Sequence, residues 1–526
     1  MYYSNFEYND CIGKGACSVS PNVSSMQEVM YILLRQEAYY TIKLLEIGIR
    51  KDNIIRDIVT EIASLDLAKD LSESQILNAF SKQYINLVAV RKEYLKICND
   101  KDVKSADLHN LLKFSPKTSL STILRKGNKE FLSKYKKFNF EKKYSSEILK
   151  NVIKSLCINL INLYEYNKNS VSAENEILHA LNLFNSSRAE LKKIKSCIDS
   201  LAETNIKLLK IISCLQAEKY GEIEKVEVSF STSPKKAIMV SGSDLEDLKL
   251  LLESVKGQEI DVYTNGNLLI AHAFPYFKNS ANLKGHFGSP AFNTILDFAT
   301  FPGSILLTKN EVQNIEYLYR GRLFSTEESV PKGVIKIKDN NFQPVIESAL
   351  QAKGFAKGQH RNSADTGVNF NELEEIINKI ASSDFDKIYI LGFSNLSVNQ
   401  KDYFQQFFKL MSGKSFVLSF SYNPETDNVY SINLANNYPL FGRVLAKIFE
   451  KIPVNSDKLV FFLTKCDVNS LSSIIYLKNS GAKNIFLSDC PPTVINPAVL
   501  RAFNKMFKIN AISNPKDDLA KIKEEL

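Results

Sequence analysis

Hydrophobic and polar residues follow a helical period through the N-terminal part of the chain. One apolar stripe runs from Ile177 to Leu208 with steps of three, four and seven residues, and a second runs from Val152 to Tyr164. This spacing puts the apolar side chains on one face of an amphipathic helix. Residues 24–218 are therefore predicted to form long helices that pack into bundles, with the stripes as their core.

The pattern changes after Gly221, where short apolar runs alternate with helical stretches. The runs that predict strands are residues 237–240, 260–263, 305–307, 334–337, 388–391, 416–420, 459–463 and 484–487. Such alternation is typical of α/β units built on a parallel sheet. We predict a multi-domain α and α/β fold: a helical bundle domain over 1–222, then two Rossmann-like domains over 223–355 and 356–526. A polar stretch rich in Gly and Lys at 353–364 predicts the linker between the latter two.

Composition limits the class of protein without naming a partner. The chain has 526 residues, which is too long for one core, and its net charge of +9 is mild for that length. It contains no run of eighteen apolar residues and begins without a secretory pattern, so we expect a cytoplasmic protein that does not span a membrane. Eight cysteines in so long a chain do not predict a disulfide framework. Four of them lie in helical patterns, where we expect buried thiols that act as small hydrophobes: Cys98, Cys157, Cys197 and Cys214.

Several segments have sequences typical of one known family. Residues 240–245 read Val-Ser-Gly-Ser-Asp-Leu, and residues 262–275 read Val-Tyr-Thr-Asn-Gly-Asn-Leu-Leu-Ile-Ala-His-Ala-Phe-Pro. Residues 301–310 read Phe-Pro-Gly-Ser-Ile-Leu-Leu-Thr-Lys-Asn, and shorter matches follow at 481–487 and 496–500. In this order the segments resemble the hybrid-cluster proteins, the hydroxylamine reductases. The resemblance implies a helical domain before two Rossmann-like domains, and an ancestral reductase that used an iron–sulfur–oxygen cluster.

The family holds its hybrid cluster with a histidine, two glutamates and several cysteines, and the resemblance places other residues at these positions. The histidine position is Ser243, and the two glutamate positions are Asn267 and Asp467, with a family lysine falling near Asn469. The cysteine positions hold Glu311, Ser394, Tyr422 and Asn436. Hydroxyl and amide groups cannot replace several thiolates at once, because cluster iron requires soft, strongly donating sulfur. We therefore predict that no cofactor is bound and that both the hybrid cluster and the family [4Fe-4S] cluster are absent.

The N-terminal segment resembles the family's four-cysteine cubane site only in part. Cys11 and Cys17 preserve the spacing of the last cysteine pair, while Tyr3 and Phe6 stand at the first pair. Two chains could pool Cys11 and Cys17 to bind iron–sulfur or zinc across a dimer. We favour the alternative, in which they are free thiols left from an ancestor.

If the fold is kept, the replaced ligands would line one polar pocket formed by Ser243, Asn267, Glu311, Ser394, Asn436 and Asp467. Oxygen donors with two carboxylates suit a hard ion such as Mg²⁺, or a polar small molecule. We favour a remnant in which the polar replacements hydrogen-bond to one another.

The leading hypothesis is a pseudoenzyme with no catalytic residues and a role in binding or scaffolding. The alternatives are a residual oxidoreductase acting on hydroxylamine or nitric oxide, and a hard-metal-dependent enzyme that uses Glu311 and Asp467. Whether the chain is an enzyme stays open at this point. Residues 125–143 mix basic and aromatic side chains, which can bind nucleic acid, but we favour a solvated helix face there. We expect a protein partner, no membrane and no nucleic acid, and leave the oligomeric state open.

Overall fold

A computed structural model describes residues 21–65, 73–108, 111–112, 118–136, 140–185, 190–288, 294–308, 321–327, 330, 333–392, 396, 398–420, 426–464, 467–488 and 503–524. Among them, no helix is both long and apolar enough to cross a membrane.

The N-terminal part is helical, as its periodicity predicts. Its helices are α1 Pro21–Glu46, α2 Asp52–Ala63, α3 Glu73–Asp100, α4 Leu120–Lys136, α5 Phe140–Tyr164, α6 Val171–Leu183 and α7 Leu191–Tyr220. Helix α1 packs against α3, α4 and α6, and α5 packs along α7. The stripe residues Ile177, Ile198 and Leu201 are fully buried, because each faces a neighbouring helix. The helix α7 ends at Gly221, whose φ of +91° an L side chain rarely adopts.

The first sheet follows this helical part. Its elements are β1 Val226–Ser229, β2 Lys236–Ser241, α8 Leu245–Ser254, β3 Ile260–Asn265, a 3-10 helix Gly266–Ala273, α9 Pro275–Lys278, β4 Leu283–His286, α10 Thr294–Thr300, β5 Ser304–Leu307, β6 Leu323–Ser325, β7 Ile335–Lys336 and α11 Gln343–Gln351. The strand order is β4-β3-β2-β5-β6-β7, and every neighbouring pair is parallel. The chain adds strands on one side of β2 and then crosses to the other side at β5. The carboxyl ends of β2 and β5 thus flank a crevice of the kind in which such sheets bind ligands.

A second sheet repeats this arrangement. Its elements are β8 Ser363–Thr366, α12 Phe370–Ser382, β9 Lys387–Gly392, α13 Val398–Leu410, β10 Ser415–Ser419, β11 Val429–Ser431, α14 Tyr438–Lys451, β12 Leu459–Leu463, α15 Val468–Asn479, β13 Asn484–Leu487, β14 Asn510–Ala511 and α16 Pro515–Glu524. The strand order is β11-β10-β9-β12-β13-β14, and every neighbouring pair is again parallel. The direction in which the chain adds strands reverses between β9 and β12. Helices α14 and α15 pack on α7, which joins this sheet to the helical part.

The predicted fold class is confirmed: helices precede two six-stranded parallel α/β sheets. The stretch at 353–364 is more tightly held than a linker pattern predicts. The Phe355 amide bonds to the Lys235 carbonyl, and Gln359 pairs with Thr232. Strand β8 then pairs antiparallel with β1, and these two strands form a separate two-stranded sheet outside both six-stranded sheets.

Candidate functional site

Ser243, which the resemblance places at the histidine position, lies at the point where the strand order of the first sheet reverses. It follows β2, and its backbone N–H donates to Thr308 Oγ1, 3.1 Å away, just beyond β5. The preceding Gly242 has a φ of +136°, which favours glycine in this turn. Asp244 then caps α8 by accepting from the Asp247 N–H at 2.8 Å. These contacts leave the Ser243 side chain exposed at the carboxyl edge of the sheet.

Two replaced ligand positions meet across the two sheets. Asn267 follows β3, whereas Asn436 lies between β11 and α14, where its φ is +60°. Asn436 Nδ2 donates to Asn267 Oδ1 at 2.8 Å. The Oδ1 atom of Asn436 is buried and finds no partner among the described residues. The side chains at a predicted glutamate position and a predicted cysteine position are therefore in direct contact.

Asp467, at the second glutamate position, caps a helix. Its Oδ1 accepts from the backbone N–H groups of Asn469 and Ser470, each at 3.0 Å, at the start of α15. Its Oδ2 accepts from the Tyr438 hydroxyl at 2.7 Å. Both carboxylate oxygens thus have protein donors, which is the usual arrangement of a helix-capping aspartate.

Asn469 is held by the helical part. Its Oδ1 accepts from Ser155 Oγ at 2.8 Å and from Asn159 Nδ2 at 3.1 Å. Asn159 Nδ2 also donates to Asn205 Oδ1 at 2.8 Å, and Asn205 Nδ2 donates to Ser155 Oγ at 2.9 Å. Sequence analysis missed this network, although its signal was present: Ser155 and Asn159 lie one turn apart within a stripe read as apolar. The network ties α5 and α7 to the start of α15.

Two histidines meet near the ends of β3 and β4: His286 is buried and His272 is half-buried. Thr264 Oγ1 is 2.9 Å from His272 Nε2 and 2.9 Å from His286 Nδ1, so its hydroxyl bridges the two rings. Burial lowers the pKa of His272 to about 4. Burial, with His272 as a second cause, lowers the pKa of His286 to about 3. Both rings are therefore neutral near pH 7, and the hydrogen bonds place them as supports of β3 and β4.

The remaining predicted positions, Glu311, Ser394, Tyr422, Cys11 and Cys17, lie outside the residues that the structure describes. The donors placed at the four described ligand positions are one hydroxyl, two amides and one engaged carboxylate. The family pattern uses thiolate, imidazole and carboxylate ligands. Among these four residues only Asp467 carries one of these groups, and its carboxylate is already hydrogen-bonded within the protein. The described part of the chain also contains no group of three or more His, Cys, Asp or Glu side chains that could hold a metal ion.

The helical cysteines are only partly as predicted. Cys98 and Cys157 are buried, and burial raises the pKa of the Cys157 thiol well above its usual value. Cys197 is half-buried, and burial raises its pKa to about 12. Cys214 is exposed, so the prediction of a buried thiol is wrong there. It lies on the outer face of α7, whose inner face packs against α5.

Comparison with known proteins gives the ancestry. A family model described as Prismane/CO dehydrogenase family matches residues 7–421. The chain belongs to this family. It is 24% identical over 541 residues to a hydroxylamine reductase of Thermodesulfovibrio yellowstonii, with 98% of each chain covered. It is 28% identical over 339 residues to one of Solidesulfovibrio magneticus, covering 61% of this chain and 63% of that one. A third hydroxylamine reductase, of Trichormus variabilis, is 23% identical with 97% of each chain covered.

Family membership corrects one prediction. The expectation that the chain binds no cofactor, neither the [4Fe-4S] nor the hybrid cluster, is wrong, because proteins of this family typically bind iron–sulfur clusters. The geometry of Ser243, Asn267, Asn436 and Asp467 concerns only these four positions and does not decide whether a cluster is bound elsewhere. Thiolates for a cluster would come from other positions, and four cysteines lie outside the described residues: Cys11, Cys17, Cys466 and Cys490.

Proposed function

We propose that this chain is a hydroxylamine reductase homologue that does not catalyse the family reaction and that acts in binding or scaffolding. The proposal rests above all on the hydrogen bond of 2.8 Å between Asn436 and Asn267. At these positions the family places a cysteine and a glutamate on cluster iron. Here the two side chains bond to each other, and neither supplies the thiolate or carboxylate that iron would need.

The neighbouring positions support the same proposal. Asp467 uses both carboxylate oxygens within the protein, and Asn469 is held by Ser155 and Asn159. Polar groups that already hydrogen-bond to one another must be separated before they can bind a ligand, and each bond lost makes binding less favourable. The region thus has the features of a structural contact between sheets and helices. A retained three-part scaffold without the reaction suits a protein whose surface is used by a partner.

The deciding experiment measures hydroxylamine reduction. The chain and the hydroxylamine reductase of Thermodesulfovibrio yellowstonii are purified without oxygen in the same way, and each is mixed with a reduced viologen dye and hydroxylamine. We expect hydroxylamine-dependent dye oxidation with the relative and none above buffer with this chain. Iron and acid-labile sulfide are measured on both samples, so that turnover is compared per cluster. Turnover by this chain would overturn the proposal.

A residual oxidoreductase is the second candidate, and family membership is the observation that favours it. It predicts hydroxylamine or nitric oxide reduction that depends on cysteines elsewhere in the chain. Serine at Cys466 or Cys490 should then abolish activity, whereas serine at the exposed Cys214 should not. The alternative in which the enzyme depends on a hard metal ion uses Asp467 as a ligand. The carboxylate oxygens of Asp467 already accept hydrogen bonds from Tyr438 and from the start of α15, and these bonds compete with a metal ion. Activity that survives Asp467→Asn would exclude that alternative.

A further inference from the structure

A carboxylate without a protein partner lies in the core of the helical part. Glu37 projects from α1 and is 0% exposed. Neither of its carboxylate oxygens has a hydrogen-bond partner among the described residues. Buried carboxylates are normally paired, because an ionised group without a partner is strongly disfavoured in a protein interior. The position therefore requires either protonation of Glu37 or a compensating group.

A second polar side chain in the same core is also without a partner. Gln83 projects from α3, the helix that packs on α1, and is 0% exposed. Within the described part of the chain, neither its Oε1 nor its Nε2 makes a hydrogen bond of good geometry. The Gln83 amide is still close enough to the Glu61 carboxyl on α2 to lower the pKa of Glu61, which burial raises. Oxygen donors from three helices thus face one region of the core.

The charges of this region favour a cation. Burial raises the pKa of Glu37 well above its usual value, and the negative charges of Asp57 and Glu61 raise it further. Lys82 lowers it, but the Lys82 ammonium is paired with Asp57 at 3.1 Å, and Asn86 bonds the other Asp57 oxygen at 3.1 Å. The Lys82 ammonium is thus paired with Asp57 and not with Glu37.

We propose that Glu37, Glu61 and Gln83 bind an oxygen-preferring divalent cation, of the class of Mg²⁺, Mn²⁺ or Ca²⁺, between α1, α2 and α3. Two carboxylates and an amide oxygen are the donor types that such ions prefer. Oxygen ligands lie about 2.0–2.6 Å from such an ion, on different sides of it. Two ligands of one ion can therefore be too far apart to hydrogen-bond to each other, and Glu37 and Gln83 make no such bond here. Protonation of Glu37 alone would remove its charge and leave the Gln83 amide without a partner. A cation would neutralise the Glu37 carboxylate and bind the Gln83 Oε1 atom.

Electron paramagnetic resonance of Mn²⁺ tests the proposal, because free Mn²⁺ gives a six-line signal that is lost when the ion is bound. The purified full-length chain, its Glu37→Gln variant and a Glu46→Gln control are treated with a chelator, dialysed and titrated with MnCl₂. Glu46 lies on the same helix, and its side chain is exposed and paired with Lys43. We expect the wild type and Glu46→Gln to bind one more Mn²⁺ ion per chain than Glu37→Gln. Thermal midpoints should rise with Mn²⁺ in the first two proteins, with a smaller rise in the third.

Loss of folding does not confuse this test, because Glu37→Gln keeps the shape of the side chain and removes a buried charge. Circular dichroism of each protein without metal confirms its helix content. A second variant, Gln83→Leu, should weaken Mn²⁺ binding at the same site while leaving Glu37 in place. Equal Mn²⁺ stoichiometry in the wild type and Glu37→Gln overturns the proposal. So does a wild type that binds no Mn²⁺, Mg²⁺ or Ca²⁺, since Glu37 is then held by protonation alone.

Discussion

Two buried amides on the helices of this protein have opposite surroundings. Asn205 on α7 and Gln83 on α3 are each 0% exposed. Asn205 donates to Ser155 and accepts from Asn159, whereas neither polar atom of Gln83 has a partner among the described residues. The first belongs to a network that reaches a replaced ligand position, and the second lies beside a buried carboxylate. Around Asn469 the polar groups of the helices satisfy one another, whereas the group around Gln83 leaves buried polar atoms without hydrogen bonds of good geometry.

Asn205→Leu should cause the largest loss of stability. Leucine has a similar size but cannot bond, so Ser155 Oγ loses its donor and Asn159 Nδ2 loses one of its two acceptors. Leaving buried polar groups short of partners costs about 1–3 kcal/mol each, so we expect the free energy of unfolding to fall by about 3 kcal/mol. Urea unfolding followed by circular dichroism measures it.

The matched control is Asn479→Leu at the other end of α15. Asn479 is exposed and bonds to Asp199 of α7 at 3.0 Å, so it also joins these two helices. We expect its loss to change the free energy of unfolding by at most about 0.5 kcal/mol. If the two variants are equally stable, the Asn205 network contributes no more than a surface contact, and the comparison with Gln83 loses its basis.

Substitutions of Asn436 should cause a smaller loss of stability. Two of them separate the contribution of its hydrogen bond from that of its backbone conformation. Asn436→Ala removes the hydrogen bond to Asn267 and also places alanine at a φ of +60°, so we expect a loss of about 2 kcal/mol. Asn436→Gly removes the same bond but tolerates this φ, so we expect a loss of about 1 kcal/mol. Urea unfolding of both variants measures the difference. If the alanine and glycine variants are equally destabilised, the backbone at 436 adapts and carries no conformational preference.

The sequence predicts the elements of this fold well where apolar runs are long. The run at 459–463 coincides with β12 and the run at 484–487 with β13, because both strands are buried on both faces of a parallel sheet. The apolar runs do not predict β1, β4, β6, β8, β11 and β14, since these strands have four residues or fewer and include polar positions. Their places are set by neighbouring strands, which one short run does not reveal.

The site was predicted by residue type more than by contact. Resemblance to the family singled out Asn267 and Asn436, which lie 169 residues apart in sequence and meet in the structure. It placed a family lysine near Asn469, and did not reveal the contacts of Asn469 with Ser155 and Asn159, from a helix more than 300 residues away. Contacts of this kind depend on how α5, α7 and α15 pack, and helical periodicity fixes only which face of each helix is buried.

Gln83→Leu should have the opposite sign to Asn205→Leu, although both replace a buried amide with leucine. In buffer treated with a chelator, the variant no longer buries a donor and an acceptor without partners. Replacing such a group with an apolar one of similar shape is neutral or stabilising, so we expect the free energy of unfolding to rise by about 1 kcal/mol. With Mn²⁺ present, the wild type should recover part of this difference, because the ion would then bind the Gln83 Oε1 atom. A loss as large as that of Asn205→Leu, with or without Mn²⁺, would mean that Gln83 already has partners and that the two amides do not differ.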